Sequence, residues 1–163
     1  MLEVPIEISA RHIHLSQVDL ERLFSKNYHL TNIKTLSQPG QFACKETLII
    51  VGPKGSIDNV RILGPVRVQT QIELARTDAY KLGIKPQVRV SGDLENTSGD
   101  ISLVNDKTKI TLCKGVIIAQ RHLHIELEIA DRMRLIDGQA VSIKTEGKRS
   151  IIFNNVIVRS RKG

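Results

Sequence analysis

The chain has 163 residues, with 24 Lys and Arg against 17 Asp and Glu, a formal net charge of +7 and a pI near 9.6. It is long enough for one compact unit or two small ones. No apolar run reaches the roughly 18 residues of a membrane span, and the opening residues lack a leader's charged, apolar and cleavage regions. A cytoplasmic protein with no membrane partner is therefore expected. Excess positive charge attracts polyanions: nucleic acid, an anionic surface, or a small ligand carrying several phosphates. The aromatic residues are only Phe24, Phe42, Phe153, Tyr28 and Tyr80, too few for the base stacking that single-strand binders use, so no nucleic-acid partner is expected. Cys44 and Cys113 form no C-x-x-C pair and are expected to be reduced thiols.

In chain order, Val- and Ile-rich runs predict strands over 3–10, 47–51, 60–63, 87–90, 101–104, 109–112, 115–119, 140–145 and 150–158. Turn signals separate them: Gly52-Pro53-Lys54-Gly55, Gly64-Pro65, Gly92-Asp93 and Asp137-Gly138. Helices are predicted over 16–24, where Ser16 and Asp19 form a capping box, over 77–82, closed by Gly83, and over 126–135. The expected fold is mainly β: two similar β-barrels, each capped by short α-helices, with approximate extents 1–83 and 84–163.

The chain also repeats itself. Ala10-Arg11-His12-Ile13-His14-Leu15 recurs as Gln120-Arg121-His122-Leu123-His124-Ile125, and each copy follows an apolar run and precedes a predicted helix. Alternate side chains on an extended segment point the same way, about 6.6 Å apart along the strand, so each His-x-His can converge on one ion. Both pairs are expected to face a shared cleft. Imidazole suits Zn²⁺ or a similar metal, and a catalytic zinc takes about three protein ligands with one position open. Each pair therefore needs a further ligand. Glu73 is a candidate, and Arg67, six residues earlier, shares its strand face if that strand is unbroken, which would put a cation beside a metal as an anion cradle.

Several strings now coincide: Ser9-Ala10-Arg11-His12-Ile13-His14-Leu15-Ser16, Leu36-Ser37-Gln38-Pro39-Gly40-Gln41-Phe42, Arg61-Ile62-Leu63-Gly64-Pro65 with Arg67, Thr77-Asp78-Ala79, Ser91-Gly92-Asp93 and Ile118-Ala119-Gln120-Arg121-His122 with His124. Together they resemble the phosphate propanoyltransferases, a family of phosphotransacylases, collinearly over nearly the whole chain. The resemblance implies two β-barrels and a reaction that interconverts acyl-CoA (propanoyl or acetyl) plus phosphate with acyl phosphate plus coenzyme A at one or two zinc ions. It implies that His12, His14 and Glu73 hold one zinc and that His122 and His124 are ligands of a second. It also implies that Arg67, Ser91 and Arg159 bind phosphate, with Arg67 catalytic, and that Gln38, Pro39 and Gly40 border the coenzyme A channel.

Family members continue with a segment holding a further His for the second zinc, whereas this sequence stops at Gly163. The second ion is thus expected to be weakly held or completed by a carboxylate or water, in a truncated or divergent member. No N-terminal extension of the kind that targets microcompartments is seen, and a homodimer is compatible with the sequence. The competing functions are a catalytically impaired coenzyme A-binding paralogue and a basic, zinc-containing RNA-binding module. A competing mechanism uses Cys44 or Cys113 as a covalent acyl carrier.

Overall fold

The structure is a computed structural model and describes residues 3–161, so residues 1–2 and 162–163 of the expected ranges lie outside it. The chain divides into two compact units, one ending at Ala119 and one beginning at Gln120. This differs from the expected division near residue 83. The reason is strand pairing: β9 (Val116–Ala119) lies parallel to both β5 (Gln71–Glu73) and β6 (Gln87–Arg89), which ties residues 84–119 to the segment before them.

The first unit is built on a nine-stranded sheet. Its remaining strands are β1 (His12–His14), β2 (Asn32–Thr35), β3 (Phe42–Val51), β4 (Ser56–Gly64), β7 (Ile101–Val104) and β8 (Lys109–Leu112). The hydrogen-bonded order is β6-β9-β5-β1-β4-β3-β7-β8, with β2 added to β3. Among the described residues this path is open, and the predicted barrel closure is not found. β1 is central. It runs parallel to β4 and antiparallel to β5, so each of its short backbone segments is paired on both sides.

Helix α1 (Gln17–Leu23) starts where its sequence says it should, because the Ser16 hydroxyl accepts the Asp19 N–H at 3.1 Å and satisfies an otherwise unpaired first-turn donor. Leu20 and Leu23 bury the inner face. Helix α2 (Arg76–Leu82) ends on Gly83 at φ +78°, a left-handed cap that glycine adopts without side-chain clash. The core beneath the sheet joins Ile13, Leu15, Leu20, Leu48, Ile50, Ile62, Ile72 and Leu103, all 2 % exposed or less.

The second unit contains β10 (His122–Glu126), α3 (Leu127–Arg132), β11 (Ala140–Lys144) and β12 (Ile152–Arg161), with strand order β10-β12-β11. It repeats the β1–α1–β3–β4 arrangement. In both, a His-x-His strand leads into a helix and lies parallel to the last strand of an antiparallel hairpin. The register agrees residue by residue, since His12 pairs with Arg61 and His122 with Ile157, which makes Asn59 the counterpart of Asn155. Both asparagines are left-handed, at φ +55° and +56°.

Two local expectations need correction. Residues 3–10 were predicted as a strand, but they form no regular element, and β1 begins only at His12. Pro5 lacks a donor and restricts the residue before it, which disfavours ladder pairing there. Arg67 shares a strand face with Glu73 only if the strand is unbroken, and it is broken: β4 ends at Gly64, Pro65 follows, and β5 opens only at Gln71. Arg67 sits on the connection, fixed by its N–H to the Leu15 carbonyl at 2.8 Å. Among the described residues no helix is long and apolar enough to cross a membrane.

Replacing Ile50, 0 % exposed, by Ala should cost about 3 kcal/mol, whereas the same change at Val68, 96 % exposed, should stay within about 0.5 kcal/mol. Urea midpoints measured at constant slope check this contrast.

Candidate metal centre

The alternation of a strand puts His12 and His14 on one face of β1 and Ile13 on the other. The antiparallel register with β5 pairs His12 with Glu73, Ile13 with Ile72 and His14 with Gln71. One face of this ribbon is thus entirely polar, and the other joins the core. His14, Gln71 and Glu73 are 1 %, 1 % and 7 % exposed, and His12 is half-buried.

The two imidazoles meet edge to face with ring centroids 5.0 Å apart. His12 Nδ1 lies 2.9 Å from the Ala10 carbonyl, and His14 Nδ1 lies 3.2 Å from the Leu63 carbonyl. A carbonyl only accepts, so each Nδ1 carries the proton and each Nε2 is left as the metal-binding nitrogen. His12 Nε2 is 3.5 Å from Glu73 Oε2. One ligand atom from each of His12, His14 and Glu73 can be chosen so that all lie within 4.8 Å of one another, the one such three-residue group among the described residues. Two imidazole nitrogens and a carboxylate oxygen fit a Zn²⁺-type ion with room for a further ligand, once the proton shared between His12 and Glu73 has left.

Protonation states support this fit. Burial, then the Arg67 and His12 charges, drives His14 down to about 3, with Glu73 opposing, so its ring is neutral at physiological pH. Burial by itself would raise Glu73, but the hydrogen bond and charge of His12, with help from the Ser91 hydroxyl and His14, outweigh it and bring the carboxyl to about 2. Glu73 is therefore ionised.

Arg67 and Ser91 adjoin this group. Arg67 Nη1 donates to Ser91 Oγ at 3.4 Å, Gln71 Nε2 donates to Ser91 Oγ at 2.9 Å, and the same Nε2 donates to Glu73 Oε1 at 2.6 Å. Gln71 was not among the expected site residues. The Pro65–Thr70 connection is pinned at its far end, where Thr70 Oγ1 accepts the Ser16 N–H at 2.9 Å and donates to Asp19 Oδ2 at 2.6 Å. Arg11, beside His12, pairs with Asp78 at 2.9 Å, while the other oxygen of Asp78 accepts the Ala75 N–H at 3.2 Å. The strand that carries the histidines is thereby tied to the first turn of α2, the element that follows Glu73.

The other expected residues are carried by other elements of the chain. Gln38, Pro39 and Gly40 form the turn between β2 and β3, closed by the Gln41 N–H to the Gln38 carbonyl at 3.1 Å, with Gly40 at φ +74°. In the second unit His122 and His124 repeat the first pair's local geometry, with ring centroids 4.7 Å apart and His122 Nδ1 2.8 Å from the Gln120 carbonyl. Arg159 pairs with His124 across β10 and β12. His29 is exposed and is not part of the His12–His14–Glu73 group. Cys44 is buried and its thiol is pushed up to about 11, chiefly by burial and then by Glu46, so it is a poor nucleophile at neutral pH.

The depressed His14 sets a sign for stability. Between its ordinary value near 6.5 and about 3, the unfolded chain holds a proton that the folded chain does not, so stability falls as pH falls. Metal-free protein should lose roughly 1 kcal/mol per pH unit through this residue between pH 6.5 and 4.5. Urea midpoints for wild type and His14→Gln across that range test it, and the variant's slope should be flatter by that amount.

Known proteins resemble the chain over nearly its full length. The phosphate propanoyltransferase family model matches residues 5–163. A phosphate propanoyltransferase of Thermotoga maritima is 50 % identical over 158 residues, 96 % of this chain and 75 % of the relative. Those of Alkaliphilus metalliredigens and Sebaldella termitidis are 49 % and 46 % identical, over 97 % and 96 % of this chain and 74 % of each relative. A match of that extent and identity, over a chain whose buried His-His-Glu group is already assembled, shows that the chain belongs to the phosphate propanoyltransferase family, a family of acyl-transferring enzymes.

Proposed function

We propose that the protein is a phosphotransacylase that converts propanoyl-CoA, or acetyl-CoA, and phosphate to the acyl phosphate and coenzyme A, and the reverse, in the cytoplasm. The observation that supports it most is the buried group His12–His14–Glu73 with Arg67 and Ser91 hydrogen-bonded onto its edge. That arrangement suits a dianionic oxyanion beside a cation.

His12 Nε2, His14 Nε2 and a Glu73 oxygen would hold the zinc. Zinc there supplies a Lewis-acid charge that orients phosphate and offsets negative charge developing on an oxygen. The residues of the chain do the rest. Arg67 offers a planar fork to two phosphate oxygens, and the Ser91 hydroxyl, which accepts from Gln71 and Arg67 and turns its proton to Glu73 before substrate arrives, can redirect that proton to the anion. Arg159 is assigned to the same anion by the family resemblance. Phosphate held this way attacks the thioester carbonyl carbon, a C–O bond forms as the C–S bond breaks, and coenzyme A leaves as the thiolate. A thiolate is a good leaving group, so no strong general acid is required.

Coenzyme A is assigned to the Gln38–Gly40 turn. His122 and His124 are proposed as part of a second zinc site, and the two units as members of the two-barrel architecture of the family. Direct transfer is favoured over an acyl-cysteine route because Cys44 is buried and poorly ionised, and the exposed Cys113 is not part of the His12–His14–Glu73 group.

Release of coenzyme A from propanoyl-CoA should require phosphate, cease after chelation and return with Zn²⁺. A metal-free preparation with full activity contradicts the proposal. Arg67→Ala should raise the apparent phosphate constant roughly ten- to a hundredfold, with Arg67→Lys recovering only part. Steady-state constants for both substrates decide this. A rise in the acyl-CoA constant alone assigns Arg67 to the coenzyme instead.

A further inference from the structure

Gln71 lies beside the three candidate ligands and is as buried as His14, at 1 % exposed. Its amide makes three contacts, and the one to a backbone N–H fixes the polarity of all three. The Gly92 backbone N–H, which can only donate, reaches Gln71 Oε1 at 2.8 Å. The nitrogen must therefore point the other way, where Nε2 donates to Glu73 Oε1 at 2.6 Å and to Ser91 Oγ at 2.9 Å. The atoms facing the nitrogen, a carboxyl oxygen and a hydroxyl oxygen, can both accept, which agrees with that orientation. Both amide hydrogens are used, and the side chain has one arrangement that satisfies every neighbour.

Two consequences follow for the chemistry. Glu73 Oε1 is engaged by Gln71, so Oε2, 3.5 Å from His12 Nε2, is the oxygen presented beside the imidazoles. The same amide that holds the carboxylate also holds Ser91, which receives Arg67 Nη1 at 3.4 Å. We propose that Gln71 is a positioning residue that makes Glu73 a single-oxygen metal ligand and couples that ligand to the Arg67–Ser91 anion pair. The inference rests on the metal-centre reading and goes beyond it, because a Gln that only filled space could be replaced by an apolar side chain of equal length.

Gln71→Met keeps the volume and removes the donor, and Gln71→Asn keeps the amide but shortens its reach. Co²⁺ serves as the probe, because its visible absorption reports ligand number. Wild-type protein should take up Co²⁺ with a strong band. Gln71→Met should bind it about ten- to a hundredfold more weakly, as loss of a ligand's hydrogen-bond partner does elsewhere, with a weaker band as the released carboxylate turns to bind through both oxygens. The apparent phosphate constant should rise in Gln71→Met and in Ser91→Ala, and the double variant should be no worse than Gln71→Met alone, since Ser91 is already released. Thermal midpoints accompany each variant, and Gln71→Asn decides the matter if Gln71→Met does not fold. Wild-type affinity and spectrum in the folded Gln71 variants overturn the role of Gln71 alone. Failure of wild-type protein to bind Co²⁺ overturns the metal centre, and this inference with it.

Discussion

The site depends on one register, the antiparallel pairing of β1 with β5 that sets His12 against Glu73 and His14 against Gln71. In a pleated ladder, opposed side chains lie about 5 Å apart on the same face, so this register alone brings two imidazoles, a carboxylate and an amide together. A slip of one residue in either strand would turn its two polar side chains to the opposite face and bring Ile13 or Ile72 out of the core. Burial of those two isoleucines therefore fixes the geometry of the polar face. Packing and chemistry are specified by alternate residues of the same short strands.

Polar atoms around the ligands have partners suited to their roles. Backbone carbonyls hold Nδ1 of both histidines, Gln71 holds one oxygen of Glu73, and Arg11–Asp78 ties β1 to α2. Such a network orders the side chains before any ion or substrate arrives, which lowers the reorganisation needed on binding. The second unit reuses the same local device at His122 and Gln120. Its surroundings differ, however, because β10 is paired with β12 alone among the described residues, while β1 is flanked on both sides. The duplication preserved the half-site and not its environment.

Much of this was legible in the sequence. β7 and β8 lie where alternation and turn residues put them, the caps at Ser16 and Gly83 formed as their residue types require, and the repeat of Arg-His-x-His matched a repeat of structure. These signals are local. What the sequence hid is non-local or too short to show a period: β1 and β5 have three residues each and exist because neighbours pair with them. Arg67 reaches the site from a loop because Pro65 interrupts the run, so even spacing was the wrong guide. Gln71 carries no signal of its own, because a Gln in Gln71-Ile72-Glu73 looks like an ordinary outward strand residue. Only the fold brings Ser91 and Gly92, twenty residues on, against it.

The central claim is a preformed centre of two imidazole nitrogens and one carboxylate oxygen. X-ray absorption at the zinc edge, on protein carrying His122→Ala and His124→Ala and a single equivalent of Zn²⁺, tests it most directly. The account predicts nitrogen and oxygen neighbours at about 2.0 to 2.2 Å with the outer-shell scattering of two imidazoles, which disappears from the same sample made with His12→Ala and His14→Ala together. A sulfur shell near about 2.3 Å, or a spectrum that the double substitution leaves unchanged, would contradict it.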